Sequence, residues 1–250
     1  HSDSLQKPKV YLTFDLERDY LRTGYVDPPS FEGVNHNLPR ILDEMKEHHA
    51  VGTFFLTPEV MENCEDMVRD IRGKHAVGLH SHAYYQREFK GWERDGDSFR
   101  NYTPDEKRQM TLRDIALYRD YLGKPRLFRI GRLEPDRTVL RMINQAGCLC
   151  DSSYHASKYN LIAKLRVALC YDFWEAPVNF HLYGLEPRHL EKGRPVVLIH
   201  PLTPPGKHDP RVYDEGNLIR IIDESSRRSE LKDLTNYSEE SLTRDNANNA

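Results

Sequence analysis

The chain has 250 residues, with 36 Lys and Arg against 39 Asp and Glu, a formal net charge of −3, 38% hydrophobic and 30% charged residues. That length suits one α/β barrel or two small domains. The charge balance excludes a general nucleic-acid binder, no apolar run approaches the roughly 20 residues of a membrane span, and with no signal peptide visible a cytoplasmic setting is expected. Cys64, Cys148, Cys150 and Cys170 show no paired metal-binding spacing. In a chain this long they read as free thiols, with Cys148 and Cys150 on one face of a strand.

In chain order, strands alternate with helices. Residues 1–8 read as an extension. Residues 9–15 form a buried strand that runs into Asp15, Glu17 and Asp19. Leu38, Ile41, Leu42 and Met45 recur at helical spacing and predict a helix over 37–49. A second strand covers 51–57, and Pro58 opens a helix that reaches about Arg72. A third strand covers 75–80. Residues 81–103 are polar and aromatic and predict a long pocket-framing loop. Thr103, Pro104 and Glu106 form a capping pattern, and Gly123 closes that helix. Then come a strand at 126–130, a helix at 136–146, strands at 147–151, 171–180 and 195–200, and a last helix from Glu215. The tail from Asn236 to Ala250 is polar and expected to be disordered. This alternation predicts one domain, residues 9–235, built on a parallel sheet.

Ligands of parallel α/β folds bind beyond the carboxyl ends of the strands. Those ends carry Asp15, Glu17 and Asp19, then His80, Ser81 and His82, then Arg129, Gly131 and Arg132, then Asp151, Ser152 and Ser153, and finally His200. Singly, Asp15 is compatible with a cap or a buried ion pair, and His80 or His200 with a hydrogen-bonded loop histidine. Jointly, they gather carboxylates and imidazoles at one end of the sheet. That set suits zinc or another first-row divalent ion. Such an ion polarises a carbonyl and acidifies water, and a second carboxylate and histidine supply proton transfer. The pattern is equipped to hydrolyse an amide or ester. Trp174 reads as core or pocket wall, and His155, His181, His189 and His208 carry no spacing signal.

With those residues in hand, the chain resembles the polysaccharide deacetylases, the NodB-homology family 4 of carbohydrate esterases, in order over residues 9–235. The family's Thr-Phe-Asp-Asp stands here as Thr13-Phe14-Asp15-Leu16-Glu17, its His-Ser-x-x-His as His80-Ser81-His82-Ala83-Tyr84, its Arg-x-Pro-Tyr as Arg129-Ile130-Gly131-Arg132, and its final motif as Leu198-Ile199-His200. The resemblance implies a distorted (β/α) barrel of about seven parallel strands that removes acetyl groups from sugars. It implies Asp15 as general base, His200 as general acid and Arg129 as the group that orients the base. Glu17, His80 and His82 are the implied ligands of a divalent metal, zinc first, with cobalt, nickel, manganese or iron as alternatives. Arg132, Leu198, Tyr84 and Trp174 are placed on the substrate pocket.

Four positions depart from the pattern, two of them Gly131 and Arg132 where Pro-Tyr is usual. Leu16 stands where a ligand aspartate is usual, and Tyr84 where the second histidine is usual. The reading that follows is a hydrolase acting on an N-acylated carbohydrate, an N-acetylated sugar of a cell-envelope polysaccharide such as O-antigen or its precursor, with neither nucleic acid nor a membrane span as partner. One alternative is a deformylase or other amidohydrolase, motivated by Arg132. The other is a glycan-binding module that has lost catalysis, motivated by Leu16 and Tyr84.

Overall fold

The computed structural model describes residues 7–21, 24–26, 28–83, 98–183, 185–191, 193–207 and 213–237. Tyr84, most of the predicted 81–103 loop, most of the 1–8 extension and most of the tail lie outside these residues. Strand β1 (Lys9–Leu16) leads to a short antiparallel pair, β2 (Tyr20–Leu21) and β3 (Gly24–Tyr25). Then follow α1 (Glu32–Glu47), β4 (Thr53–Leu56), α2 (Pro58–Asn63), α3 (Glu65–Ile71), β5 (Ala76–Ser81) and α4 (Pro104–Leu122). The second half holds β6 (Leu127–Ile130), α5 (Arg137–Gln145), β7 (Cys150–Asp151), α6 (Leu161–Cys170), β8 (Trp174–Glu175), β9 (Phe180–His181), β10 (Val196–Ile199), α7 (Glu215–Arg228) and β11 (Glu230–Lys232).

The main sheet is parallel throughout, in the order β8-β7-β6-β5-β4-β1-β10-β9, with β11 beside the start of β1. Its two ends are consecutive pieces of one stretch. Residues 174–176 follow β7, with Ala176 N donating to Asp151 O at 2.7 Å, and Val178 N then donates to Tyr154 O at 2.8 Å. Asn179 N donates to Val196 O at 2.9 Å and Leu182 N to Leu198 O at 3.0 Å, on β10. One segment thus spans both edges, and the expected barrel of about seven strands registers as eight on this path because that segment is split in two.

Side chains alternate across a strand, and two hydrophobic clusters result. Leu12, Phe14 and Leu16 of β1, Leu79, Phe128, Val197 and Ile199 pack outward against the helices. Tyr11, Phe55, Leu127, Cys150, Val196 and Leu198 fill the interior with Ala176, Val178 and Leu133. Cys148 belongs to the outer cluster and Cys150 to the inner one. The expectation of a shared face fails because β7 starts only at Cys150.

Helix boundaries shifted where tertiary contacts won. Helix α1 starts at Glu32, six residues before the apolar spacing begins at Leu38. Its first turn is held by Asp19, whose Oδ1 accepts from Gly33 N at 2.8 Å. Asp19 is therefore a cap and leaves the cluster of acids expected at the end of β1. The helix expected over 58–72 is two helices, broken at Cys64, whose φ of −129° and ψ of 41° are not helical. Thr103 and Glu106 form the predicted capping box, and Gly123 ends α4 at φ 81°. Helix α6 carries no periodic signal that the sequence reading used. The described residues close on Tyr237, whose ring meets Tyr11 at 5.2 Å and lies 4.1 Å under the Arg194 guanidinium.

Candidate active site

The period-2 rule carries the interior face of five strands into one site. Tyr11 and Thr13 lead to Asp15; Gly78 leads to His80; Leu127 leads to Arg129; Cys150 leads to Ser152; Val196 and Leu198 lead to His200. Leu16, one residue out of phase, packs in the outer cluster instead. The spacings Asp15-x-Glu17 and His80-x-His82 keep both members of each pair on the inward phase. All of these except His200 are buried.

Asp15 sits at the centre. Its Oδ1 accepts from Arg129 Nη1 at 2.7 Å, and its Oδ2 lies 3.6 Å from His80 Nε2 and 3.7 Å from His200 Nε2. Burial alone pushes this carboxyl up. The Arg129 guanidinium, then His80 and His200, and the hydrogen bond from Arg129 more than reverse that, so Asp15 lies below the usual carboxylate value and is ionised. Arg129 is itself fixed on three sides. Its Nε donates to Ser152 O at 3.0 Å, its Nη2 to Ser152 Oγ at 2.8 Å, and its guanidinium lies 4.3 Å over the Phe55 ring. Ser152 passes its own proton to Ala176 O at 2.6 Å.

Beside Asp15 stand Glu17, His80 and His82, whose ligand atoms all lie within 4.8 Å of one another. His82 Nε2 is 3.0 Å from His80 Nε2 and 3.1 Å from Glu17 Oε2. The Nδ1 of His80 lies 3.0 Å from the Arg129 carbonyl. A carbonyl only accepts, so that nitrogen carries the proton and Nε2 keeps its lone pair. Desolvation pulls the His80 imidazole down to about 3 against the pull of Asp15, so it is neutral. A carboxylate, a neutral imidazole with its tautomer fixed by a backbone carbonyl, and a second imidazole make a donor set that fits a divalent ion such as zinc.

The His82 ring fills the space just past the end of the neighbouring strand, beside Gly131. A Cβ on Gly131 would stand 2.3 Å from the His82 ring atoms Cε1 and Nδ1. A side chain at 131 would force the His82 ring to move. The chain then turns sharply, with Arg132 at φ 60° and Leu133 at φ 50°, a left-handed pair that non-glycine residues rarely adopt.

His200 is the open edge of the site, its side chain 31% exposed. Desolvation draws its imidazole below the usual range, with Asp15 opposing and His181 adding to the fall. The loop behind it is tied to α1 by Asn37, whose Nδ2 donates to Pro201 O and Thr203 O, both at 3.1 Å. Beneath Arg129 lie two more buried acids, Asp151 and Glu175. Burial raises both, Asp151 to about 6; Asp151 raises Glu175 further, whereas its hydrogen bond with Glu175 pulls Asp151 back down. On α4, Asp114 receives the Ser81 hydroxyl, and burial pushes it up to about 7.

The structure thus brings together Asp15, Glu17, His80, His82, Arg129 and His200. Leu198 lies in the interior cluster, paired in register with Thr13 and His181. Trp174 is half-buried opposite Cys150, and Arg132 is exposed with its Nε 3.7 Å from Glu134. Sequence reasoning assigned no role to Asn37, Phe55, Ser152, Asp151, Glu175 or Asp114. For Phe55 and Ser152 a signal existed, since both share the inward phase of their strands.

The chain matches the polysaccharide deacetylase family over residues 2–150. No curated protein matches it. Among solved structures it is similar to a candidate polysaccharide deacetylase of Mycobacterium smegmatis, at 17% identity and TM-score 0.65, covering 98% of this chain and 94% of that one. It is similar to the peptidoglycan deacetylase PdaC of Bacillus subtilis, at 13% identity and TM-score 0.58, covering 96% and 94%. A third likeness is to the peptidoglycan N-acetylglucosamine deacetylase Bc1960, at 19% identity and TM-score 0.55, covering 91% and 86%. These likenesses agree on the fold. With the family match over more than half its length, the chain belongs to the polysaccharide deacetylase family.

Proposed function

We propose that this chain is a metal-dependent hydrolase that removes N-acetyl groups from a sugar of a cell-envelope polysaccharide or its precursor. The observation that carries the reading is the placement of one ionised carboxylate, Asp15, between two histidines, with a carboxylate–imidazole cluster beside it. Glu17, His80 and His82 would hold the ion. The chemistry a divalent ion supplies there is Lewis-acid polarisation of an acyl carbonyl and acidification of water.

The protein's own groups handle the proton and the geometry. Asp15 Oδ2 accepts the proton of the attacking water, and Arg129 keeps Oδ1 fixed and the group ionised. His200 Nε2, 3.7 Å from that oxygen, passes on to the departing amine the proton that Asp15 takes from the water, so the neutral imidazole is charged only in transit. Its open edge is where substrate enters. Leu198 and Leu133, packed together in the interior cluster, provide an apolar floor for an acyl methyl.

The test combines metal content by elemental analysis with acetate release from an N-acetylglucosamine oligomer. About one divalent ion per chain, lost in His82→Ala, with acetate released by the wild type but not by Asp15→Asn, is the expected result. Metal-loaded protein that binds the oligomer and releases no acetate would overturn the reading in favour of a glycan-binding module. Release of formate from an N-formyl sugar in place of acetate would redirect it to a deformylase.

A further inference from the structure

Helix α6 is inverted relative to the other helices packed on this sheet. Only Ala163 and Val167 are buried, whereas Leu161 is 70% exposed, Ile162 68%, Leu165 52% and Leu169 82%. At about 100° per residue, Leu161, Leu165, Leu169 and Ile162 fall at about 0°, 40°, 80° and 100°, one unbroken stripe. Ala163 and Val167 fall on the opposite side, against the fold. The exposed Arg166 and Lys164 fall at about 140° and 300°, one on each border of the stripe. The exposed Lys158 precedes the helix, and residues 152–171 contain no Asp or Glu. Lys164 Nζ also lies 5.9 Å from the Tyr159 ring, which leaves it at the helix border.

An apolar stripe edged by cations on both sides is the build of a helix lying in a lipid–water interface. The leucines enter the acyl boundary and the long basic side chains reach headgroup phosphates. A second copy is a poorer occupant, because pairing two such faces would bring Lys158, Lys164 and Arg166 of one copy against those of the other. We propose that α6 docks this protein on an anionic phospholipid surface. The helix follows β7, so its amino end lies toward the carboxyl rim of the sheet. Docking would hold the site mouth near that surface. This inference stands on α6 alone and survives or fails independently of the reaction.

The test is co-sedimentation of the full chain with vesicles of phosphatidylcholine alone and of phosphatidylcholine with about 30% phosphatidylglycerol. The expected result is binding to the anionic vesicles only, weakened several-fold when salt is raised to about 0.5 M. Leu165→Glu with Leu169→Glu should weaken it by at least about tenfold, and Lys164→Glu with Arg166→Glu by a similar factor. All four positions are exposed and outside the site, so the thermal midpoint and solution activity of both variants should match the wild type. Failure to bind anionic vesicles, or binding unchanged by both double variants, overturns the proposal. So does a dimer in solution that Leu165→Glu with Leu169→Glu dissolves, since a second copy would then be the occupant.

Discussion

Two sets of buried acids flank the same arginine and meet opposite fates. Asp15 receives Arg129 Nη1 directly at 2.7 Å and is held below the usual carboxylate value. Asp151 and Glu175 are equally buried, but the remaining guanidinium nitrogens go to Ser152. Instead of the guanidinium, the pair receives the Ser153 hydroxyl and the Ser152 backbone on Asp151 and Tyr154 N on Glu175, the last at 3.1 Å. Asp151 Oδ2 and Glu175 Oε2 have no hydrogen-bond partner. One shared proton would satisfy both oxygens, as in other close carboxyl pairs. The direction in which the guanidinium points, more than depth of burial, decides which acid is charged and able to act as a base.

The sharpest way to break this comparison is to neutralise each acid in turn. Asp15→Asn should lower kcat/KM by about 10²–10⁴-fold, the range for a lost general base. Glu175→Gln should stay within about threefold, because the amide replaces a carboxyl that is already neutral or shares its proton. Equal losses in the two variants would show that both acids serve the reaction. Removing the arginine separates them again in stability. Arg129→Met leaves Asp15 buried without its cation, which should cost about 3–5 kcal/mol in urea unfolding at neutral pH. A cost under about 1 kcal/mol would mean that Asp15 is protonated and the proposed base is wrong.

These contrasts bear on what the sequence could show. Asp15, His80, Arg129 and His200 were legible because each ends an apolar run, and the inward phase of each run is fixed by its neighbours. Glu17 was legible by the same phase rule, as the next inward residue after Asp15. The route by which His82 reaches the site was not. It depends on the space above Gly131, a residue 49 positions away, just past the end of the neighbouring strand. Asp19 was misread for a similar reason, since its partner is the amino end of a helix whose start carries no apolar spacing. The Asp151 and Glu175 pair was hidden because 23 intervening residues contain α6, whose apolar residues face outward. The barrel itself was legible in its alternation of strand and helix, apart from the one stretch that spans both edges.

Gly131 offers a smaller and cleaner perturbation of the same rim. Gly131→Ala should destabilise the protein by about 1–3 kcal/mol, the usual range for forcing a methyl into a filled space. It should also lower metal occupancy by moving His82. In a His82→Ala background the ring is gone, and the same substitution should cost less than about 0.5 kcal/mol. Equal costs in both backgrounds, read from urea midpoints, would show that the His82 ring does not fill the space a side chain at 131 needs.

The pH dependence of stability of the metal-stripped protein separates the two sets of acids by its sign. Asp15 is depressed in the folded state. Its contribution is complete above the unfolded value near 3.8 and is lost as pH falls through the lower folded value. Asp151, Glu175 and Asp114 are raised. The folded protein keeps protons there that the unfolded chain releases above about pH 4. Their effect is therefore a loss of stability as pH rises from about 4 through about 6 for Asp151 and about 7 for Asp114. The buried histidines His80 and His200 are lowered, so they add stability as pH rises toward 6.5, in an overlapping window. The informative quantity is then the difference between variant and wild type. Glu175→Gln should remove about one proton's worth of decline, up to about 1.4 kcal/mol per pH unit between pH 5 and 7. Asp15→Asn should change the profile below pH 4 instead. If Glu175→Gln leaves the slope unchanged, the pair does not hold a shared proton, and Arg129 would have to neutralise Asp151 and Glu175 as it does Asp15.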